Sequence, residues 1–532
     1  MRRDLKAMAD EQFDVLVIGG GINGTGIARD AALRGLKVAL VEQEDFGYGT
    51  TSRATRIIHG GLRYLELYEF GLVRESLKER EILLRIAPHL VRPLLFLVPV
   101  YRGDPHALLT VRIGMILYDL LSWGKSLKRH RKLSRGQVLE LEPELKQEGL
   151  KGGMLYYDAQ VEYSERLCVE NALCAADHGA LIANHAEVVD FLKVDADEKI
   201  VGARVRDRFT DELYELRARV IVNAAGPWAD RLHQIADPDS LPRLRPTKGI
   251  HILVPQFTRH AIVMLAQQDD RLFFAIPWRG LSLVGTTDTD FDGDPGTVTA
   301  TQEDVDYLAN ETRRLFPKVD LNIYYTMAGV RPLVHQEGVS ASQVSRKHKI
   351  IDHRADGLDG LISILGGKIT NYRKVAEDAV DLIGRKLNHD RPCLTDRRRL
   401  YGGEIDDLEA AIETAVSEYS GLGLEREQIA SLVRTYGSQY EAILKRVEAT
   451  PELGEGITET GPEIWAQLDY GVEHEMVCSA ADFLLRRTGI GLRPEGGLDC
   501  VAEVSARIGA RLGWDESEVE RDVEAYRDEV KR

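Results

Sequence analysis

With 532 residues, 44% of them hydrophobic, the chain exceeds what one simple core accommodates, and two or three domains are expected of it. Its formal charge of −16 lies wholly beyond residue 400, the body before it being balanced, which argues against nucleic acid as a partner because that needs a basic face. The five cysteines, scattered and without a C-x-x-C pair, point to buried thiols in a reducing compartment and argue against disulfides or zinc; no metal is expected.

In chain order, the opening MRRDLKAMADEQ has no apolar signal core, and no run reaches the roughly 18 apolar residues that a spanning helix requires. Synthesis in the cytosol is the expectation. Phe13–Glu42 then reads as one complete dinucleotide-binding unit. Asp14–Ile18 is a short, β-rich apolar run of the kind that forms a buried parallel strand. Gly19, Gly21 and Gly24 follow as G-x-G-x-x-G, which permits a tight turn, backbone approach to a pyrophosphate and close packing of helix on strand. A helix over Ile22–Arg34 meets the phosphates with its N-terminus, and a strand over Lys37–Val41 ends at Glu42, where a ribose hydroxyl needs an acceptor. An acid at that place favours FAD or NAD over NADP.

The next loop, with Thr51, Ser52 and neighbouring glycines, suits the wrapping of a cofactor's phosphates and ring. In Ile57–Leu65, His59, Gly60 and Gly61 give close backbone approach, and Arg63 with Tyr64 offers adjacent anion donors; a surface turn with a solvated arginine is the alternative. Glu66–Pro88 reads as a helix. Arg92–Trp123 is the most apolar segment, and its second half sets Leu108, Val111, Met115, Tyr118 and Leu121–Ser122 at helical spacing. Buried core and a face resting on a bilayer both fit that stripe. The basic run Lys125–Leu133 behind it fits a solvated loop or a contact with anionic lipid.

A strand is expected near Gly152–Tyr157, a helix over Ser164–His178, and alternating strands over 180–206 and 213–222. Val220–Ala229 closes a buried strand with small residues around Gly226 that let a cofactor pass close to backbone. Residues 243–300 alternate with period two, as in an antiparallel substrate lobe, and contain His251. Thr301 with Asp304 opens a helix, Arg331 ends a strand before Pro332, and Arg346 lies in a polar loop. Leu361–Arg373 is again strand, glycines and helix start, with Gly367, Lys368 and Thr370 facing something anionic or electron-rich. Beyond a polar linker, amphipathic stretches such as Asp407–Tyr419, Glu427–Tyr436 and Met476–Arg486 indicate a separate all-helical domain.

The glycine unit, Thr51-Ser52 with His59–Leu65, Ala225–Trp228, Lys248–His251, Gly329–Leu333, Gly366–Arg373 and the helical C-terminal segment together form a specific pattern. Through them the chain resembles, over nearly its whole length, the FAD-dependent glycerol-3-phosphate dehydrogenases among the DAO-like flavoproteins. The resemblance implies an α/β fold: a Rossmann-like FAD-binding domain with an antiparallel-sheet substrate lobe, plus an all-helical C-terminal domain. It divides the chain into an oxidoreductase region at 13–390 and an acidic helical domain at 400–532. Within the first, the FAD-binding parts fall at 13–90, 150–235 and 350–390, and the substrate lobe at 91–149 and 240–349. The resemblance further implies FAD as cofactor, sn-glycerol 3-phosphate as substrate, dihydroxyacetone phosphate as product and membrane quinone as acceptor. A homodimer is left open. Asn371 stands where threonine is commoner in the family, and its amide is expected to donate toward the flavin region all the same.

A phosphate dianion needs converging cations, so Arg63, Arg346 and Lys368 with Tyr64 are its candidates. Hydride transfer from C2 also requires loss of the hydroxyl proton: His251 is expected to take it and Arg331 to stabilise the developing alkoxide, with Lys368 also counted at the reacting centre. For His251 considered alone, a satisfied structural histidine is the competing account. Cofactor contacts are expected from Gly19, Gly21, Gly24, Glu42, Thr51, Ser52, His59, Gly60, Gly226, Gly367, Lys368 and Thr370. A glycerol-3-phosphate oxidase using oxygen and a non-catalytic flavin-binding sensor are the alternatives. The apolar segment with its basic neighbour favours the quinone reading, and with it a cytoplasmic protein held peripherally on a lipid surface, the inner face of the cell membrane.

Overall fold

The computed structural model describes residues 1–194, 199–336 and 346–531. Residues 195–198 and 337–345, which fall within the expected strand region and substrate lobe, lie outside the described residues, as does 532.

Gln12–Ile18 sits inside an eight-stranded sheet, parallel to Val38–Val41 on one side and to Leu213–Asn223 on the other. Leu181–Ala183 and Leu361–Leu365 extend the parallel part outward, and three antiparallel strands, Ala186–Lys193, Ile200–Asp207 and Lys349–Asp352, complete it. Val15, Leu16 and Val17 have no exposed surface, because both faces of the sheet are covered; that is why the strand reads as a continuous apolar run. On one face pack the helices Ile22–Leu33, Ser164–Asp177 and Tyr372–Leu387, whose Ile27, Ala31, Leu173 and Val380 share a core with Val15 and Val17. The first of these helices lies so close to its strand that a Cβ on Gly24 would stand 1.8 Å from the Gly19 carbonyl oxygen, a position only glycine can occupy.

The second sheet has ten strands. Leu244–Pro255 pairs with Tyr325–Val334 on one edge and Leu281–Gly285 on the other, a register that sets Thr247 opposite Arg331 and His251 opposite both Met327 and Gly285. Leu150–Val161, expected within the FAD-binding part, belongs to this sheet instead. It pairs along nearly its whole length with Val91–Tyr101, and that ladder outweighs its nearness in sequence to the Ser164–Asp177 helix. One face of the sheet packs on Gln302–Leu315, a helix opened by the Thr301–Asp304 capping box.

The opposite face carries the Leu108–Leu121 helix and the C-terminal segment. That segment is helical, from Leu408–Glu418 to Glu516–Val530, but it is not set apart. Phe483, Leu484 and Tyr526 share one apolar core with Tyr156, Trp278 and Met327, while Ile412, Leu432 and Leu444 pack in a second core within the segment itself. Buried charges fasten the segment to the first sheet's layer as well: Asp45, three residues past Glu42, pairs with Arg486 and Arg487, and Arg166 of the Ser164–Asp177 helix with Glu475. The helix Leu108–Leu121 buries Met115 and Tyr118 from the expected stripe, yet it is apolar on its outer face too. Leu109, Ile113, Ile116 and Leu120 are exposed there, and Trp123 just beyond is 82% exposed. No helix of the described residues is long and apolar enough to cross a membrane.

Candidate active site

One cavity of about 700 Å³ joins the ends of the two sheets. At its first end lie Gly19, Gly21, Glu42 and Thr51; Gly226, Gly367 and Ile369 also line it; and His251, Arg331, Arg346, Arg63 and Tyr64 line its far end.

The first end is made largely of backbone. The Ile22–Leu33 helix begins at Gly21, which has no side chain to cap it, so the N–H groups of its first turn beyond Ile22 are left for an anion. Thr51 Oγ1 accepts the Ile22 N–H at 3.2 Å and so fixes the following loop against the helix start. Glu42 accepts the N–H groups of Gly20, at 2.5 Å, and Glu44, at 2.9 Å. Those bonds favour the carboxylate, yet burial outweighs them and pushes Glu42 up to about 7.

At the far end, close approach is again bought by glycine. A Cβ on Gly249 would meet the Arg331 guanidinium at 2.2 Å, and one on Gly285 would meet the His251 ring at 2.4 Å. Arg331 donates to Asp288 at 3.1 Å, to Thr286 Oγ1 at 2.8 Å and to the Thr287 carbonyl at 3.0 Å. Arg346 shares the same Asp288 carboxylate at 3.4 Å, and Arg271 donates to the Asp288 carbonyl. Burial and these two neighbouring guanidiniums bring Arg331 down to about 10, which leaves it charged at neutral pH. Asp288 is held below the usual carboxylate range chiefly by Arg331 and Arg346, against the effect of its burial.

His251 is 2% exposed, with Nε2 2.9 Å from Thr55 Oγ1 and a buried Nδ1 that has no partner. Burial, Arg331 and Arg56 hold it down to about 3, so its imidazole is neutral at physiological pH. Lys368 reaches over the Tyr64 ring, 4.8 Å from its centroid, and donates to the His59 and Gly60 carbonyls at 3.3 and 3.2 Å. Burial brings Lys368 down to about 7, against the opposing pull of Asp158, Glu75 and Glu69.

The residues expected from sequence do not all face this space. Gly24 acts through helix packing, and Ser52 donates to the Tyr48 and Gly49 carbonyls within its own loop. Gly60 lies behind the wall, its N–H on Tyr118 Oη, and Thr370 Oγ1 accepts the His59 N–H. Asn371 corrects an expectation: its amide donates to Glu75 and accepts from Ser76, so it faces the Phe70–Ile86 helix and not the cavity. The tyrosine and arginine that follow it in sequence point into the core, Arg373 pairing with Glu79 of the same helix. Asp288, Arg271 and Thr55 belong to the site but were not singled out. Only their pairing across strands distant in sequence reveals them, although Gly285–Asp288 does mark a strand end.

The arrangement suits a long ligand with an anionic middle: phosphates at the Ile22–Leu33 helix, a ribose at Glu42, and a flat ring against Gly226 and Gly367. A second, small anionic molecule fits among Arg331, Arg346, Arg63 and Tyr64. Residues 14–373 match the family described as FAD dependent oxidoreductase, and residues 393–519 match the C-terminal domain of alpha-glycerophosphate oxidase. The chain is 40% identical to a glycerol-3-phosphate dehydrogenase of Synechocystis sp., with 98% of this chain and 97% of that protein covered. It is 38% identical to the aerobic glycerol-3-phosphate dehydrogenase of Staphylococcus haemolyticus, over 91% of this chain and 88% of that one. The crystal structure of the glycerol-3-phosphate dehydrogenase from Bacillus halodurans complexed with FAD is similar with a TM-score of 0.80 at 32% identity, covering 99% of this chain and 96% of that chain.

Proposed function

We propose, from the premise that this chain belongs to the FAD-dependent oxidoreductases and among them to the glycerol-3-phosphate dehydrogenase family, that it oxidises sn-glycerol 3-phosphate to dihydroxyacetone phosphate and passes the electrons to membrane quinone. The enzyme is a flavoprotein, and the residues present fit FAD: the open start of the Ile22–Leu33 helix for its pyrophosphate and Glu42 for its ribose. FAD, when bound, accepts the hydride leaving C2 of the substrate.

The observation that carries the substrate is the convergence of Arg63, Arg331, Arg346, Lys368 and Tyr64 on one end of the cavity, beside a neutral His251. Arg63 and Arg346 hold the phosphate. Arg331, fixed by Asp288 and Thr286, faces the oxygen on which charge develops as the hydroxyl proton leaves. His251, whose imidazole is neutral at physiological pH, takes that proton. Anaerobic mixing with glycerol 3-phosphate should bleach the flavin band, and a band that stays unbleached would sink this reading.

Quinone rather than oxygen as acceptor is supported by the outer face of Leu108–Leu121. Its exposed leucines and isoleucines, with Lys128, Arg129, Arg131 and Lys132 exposed beside them, suit a helix lying in an anionic bilayer surface. The protein then sits peripherally on the inner face of the cell membrane. Replacing Ile113 and Leu120 by Glu should end sedimentation with anionic liposomes and quinone reduction while sparing reduction of a soluble dye. The match of the C-terminal segment to an oxidase domain favours oxygen as the second reading. Hydrogen peroxide formed in proportion to substrate, with no added acceptor, would put that reading first.

A further inference from the structure

A buried polar chain enters the cavity wall from behind, starting at the helix whose outer face is exposed. Lys368 Nζ donates to the His59 carbonyl at 3.3 Å, and the N–H of that same peptide unit, on Gly60, donates to Tyr118 Oη at 2.8 Å. Tyr118 donates in turn to Asp158 Oδ2 at 2.6 Å, and Asp158 is ion-paired with Arg80. Every link runs donor to acceptor in one direction, from an ammonium to a carboxylate, so each bond polarises the next. Tyr118, Asp158 and Arg80 come from three separate elements, the Leu108–Leu121 helix, the Leu150–Val161 strand and the Phe70–Ile86 helix, and none is more than 1% exposed. Burying these groups is costly, and apolar side chains of similar volume would close the core at least as well. What apolar side chains could not do is hold the peptide between His59 and Gly60.

We propose that Tyr118 and Asp158, backed by Arg80, are positioning residues for the oxidation: they fix the 59–60 peptide and through its carbonyl hold the Lys368 ammonium at the cavity wall. The inference rests on the function proposed above. It also gives the Phe70–Ile86 helix a single task, because Glu75, Ser76 and Glu79 of that helix clasp Asn371 and Arg373, just beyond Lys368, while its Arg80 anchors Asp158. The charged and titratable groups facing Lys368 are Asp158, Glu75, Glu69, His59 and the Tyr64 ring, and Asp158 does most to keep its charge.

The test is a pH titration of the bound-flavin absorbance of the holoenzyme between pH 5 and 10, without turnover. A midpoint that disappears in Lys368→Met belongs to Lys368. Asp158→Asn should move that midpoint down by about one pH unit, the scale of one nearby charge. Tyr118→Phe, which keeps the ring and its packing, should move it the same way by less and lower kcat/KM about tenfold at unchanged flavin content, the scale of one hydrogen bond. If Asp158→Asn does not fold, Tyr118→Phe decides. No Lys368-dependent midpoint in the parent protein, or the same midpoint and kcat/KM in Tyr118→Phe, overturns the proposal. Failure of glycerol 3-phosphate to bleach the parent flavin would instead sink the function and leave the titration standing.

Discussion

At the Gly19–Glu42 end of the cavity, recognition groups are main-chain donors and one carboxylate from a single contiguous stretch; at the other end they are side chains of Arg63, His251, Arg331 and Arg346, gathered from a short helix, two strands and a loop distant in sequence. The first is complete once the two strands, the turn and the helix of that one stretch have formed. The second exists only after strands pair, because the ladder between Leu244–Pro255 and Tyr325–Val334 is what brings Arg331 and His251 to the same place. Backbone recognition is therefore robust to side-chain change and intolerant of added bulk. Charge recognition is the reverse: Arg331 and Arg346 stay close only because Asp288 lies between them.

The largest expected effects separate the two ends outright. Gly24→Val cannot keep the helix against the Gly19 carbonyl, so purified protein should lack flavin absorbance altogether. Arg331→Ala should retain a full complement of FAD and lose about 10²–10³-fold in kcat/KM, the range for removing one preorganised donor from a developing oxyanion. Flavin content and steady-state kinetics measured on both variants check the contrast, and an Arg331→Ala protein without flavin would erase it.

The same contrast explains what could be read in advance. The dinucleotide unit was legible because its signals, apolar strand, glycines, helix and Glu42, are local and adjacent. Lys368, His251 and Arg331 came from motif pattern, and nothing local disclosed that Asp288 and Arg271 stand with them. The direction in which a residue points at a helix start depends on which helix packs over it, so Asn371 turns to Phe70–Ile86, which no local signal discloses. In Leu108–Leu121 the periodicity found the stripe of Met115 and Tyr118, which is buried; a helix apolar all round hides its second stripe, and only packing shows that Ile113 and Leu120 face outward.

Within the charged end, smaller effects divide labour. His251→Ala should lower kcat about 10²-fold with little change in KM, as loss of a general base does. Arg63→Ala should raise KM about tenfold and leave kcat nearly unchanged, because a phosphate contact made equally in ground and transition states is uniform binding. Stopped-flow flavin reduction across substrate concentrations separates the two parameters. Equal losses in both, for both variants, would merge roles that the geometry keeps apart.

The smallest effect is also the one in which the two ends move in opposite senses. Glu42 at one end and Lys368 at the other are both brought to about 7 by burial, but one gains charge as pH rises and the other loses it. Raising pH through 7 ionises Glu42, making it the stronger acceptor for a ribose hydroxyl, so FAD affinity of the flavin-free protein should rise. The same step discharges Lys368 and thins the cation cluster around the substrate phosphate, so kcat/KM, which reports groups of the free enzyme, should fall. A hydrogen bond to a charged group exceeds one to a neutral group by about 1 kcal/mol, so each trend should amount to roughly fivefold to tenfold between pH 6 and 8. Flavin-fluorescence titration of apoprotein gives the first trend and initial rates of the FAD-saturated enzyme give the second. Glu42→Gln should flatten the first and leave the second untouched; if it flattens both, the two ends of the cavity titrate as one coupled unit.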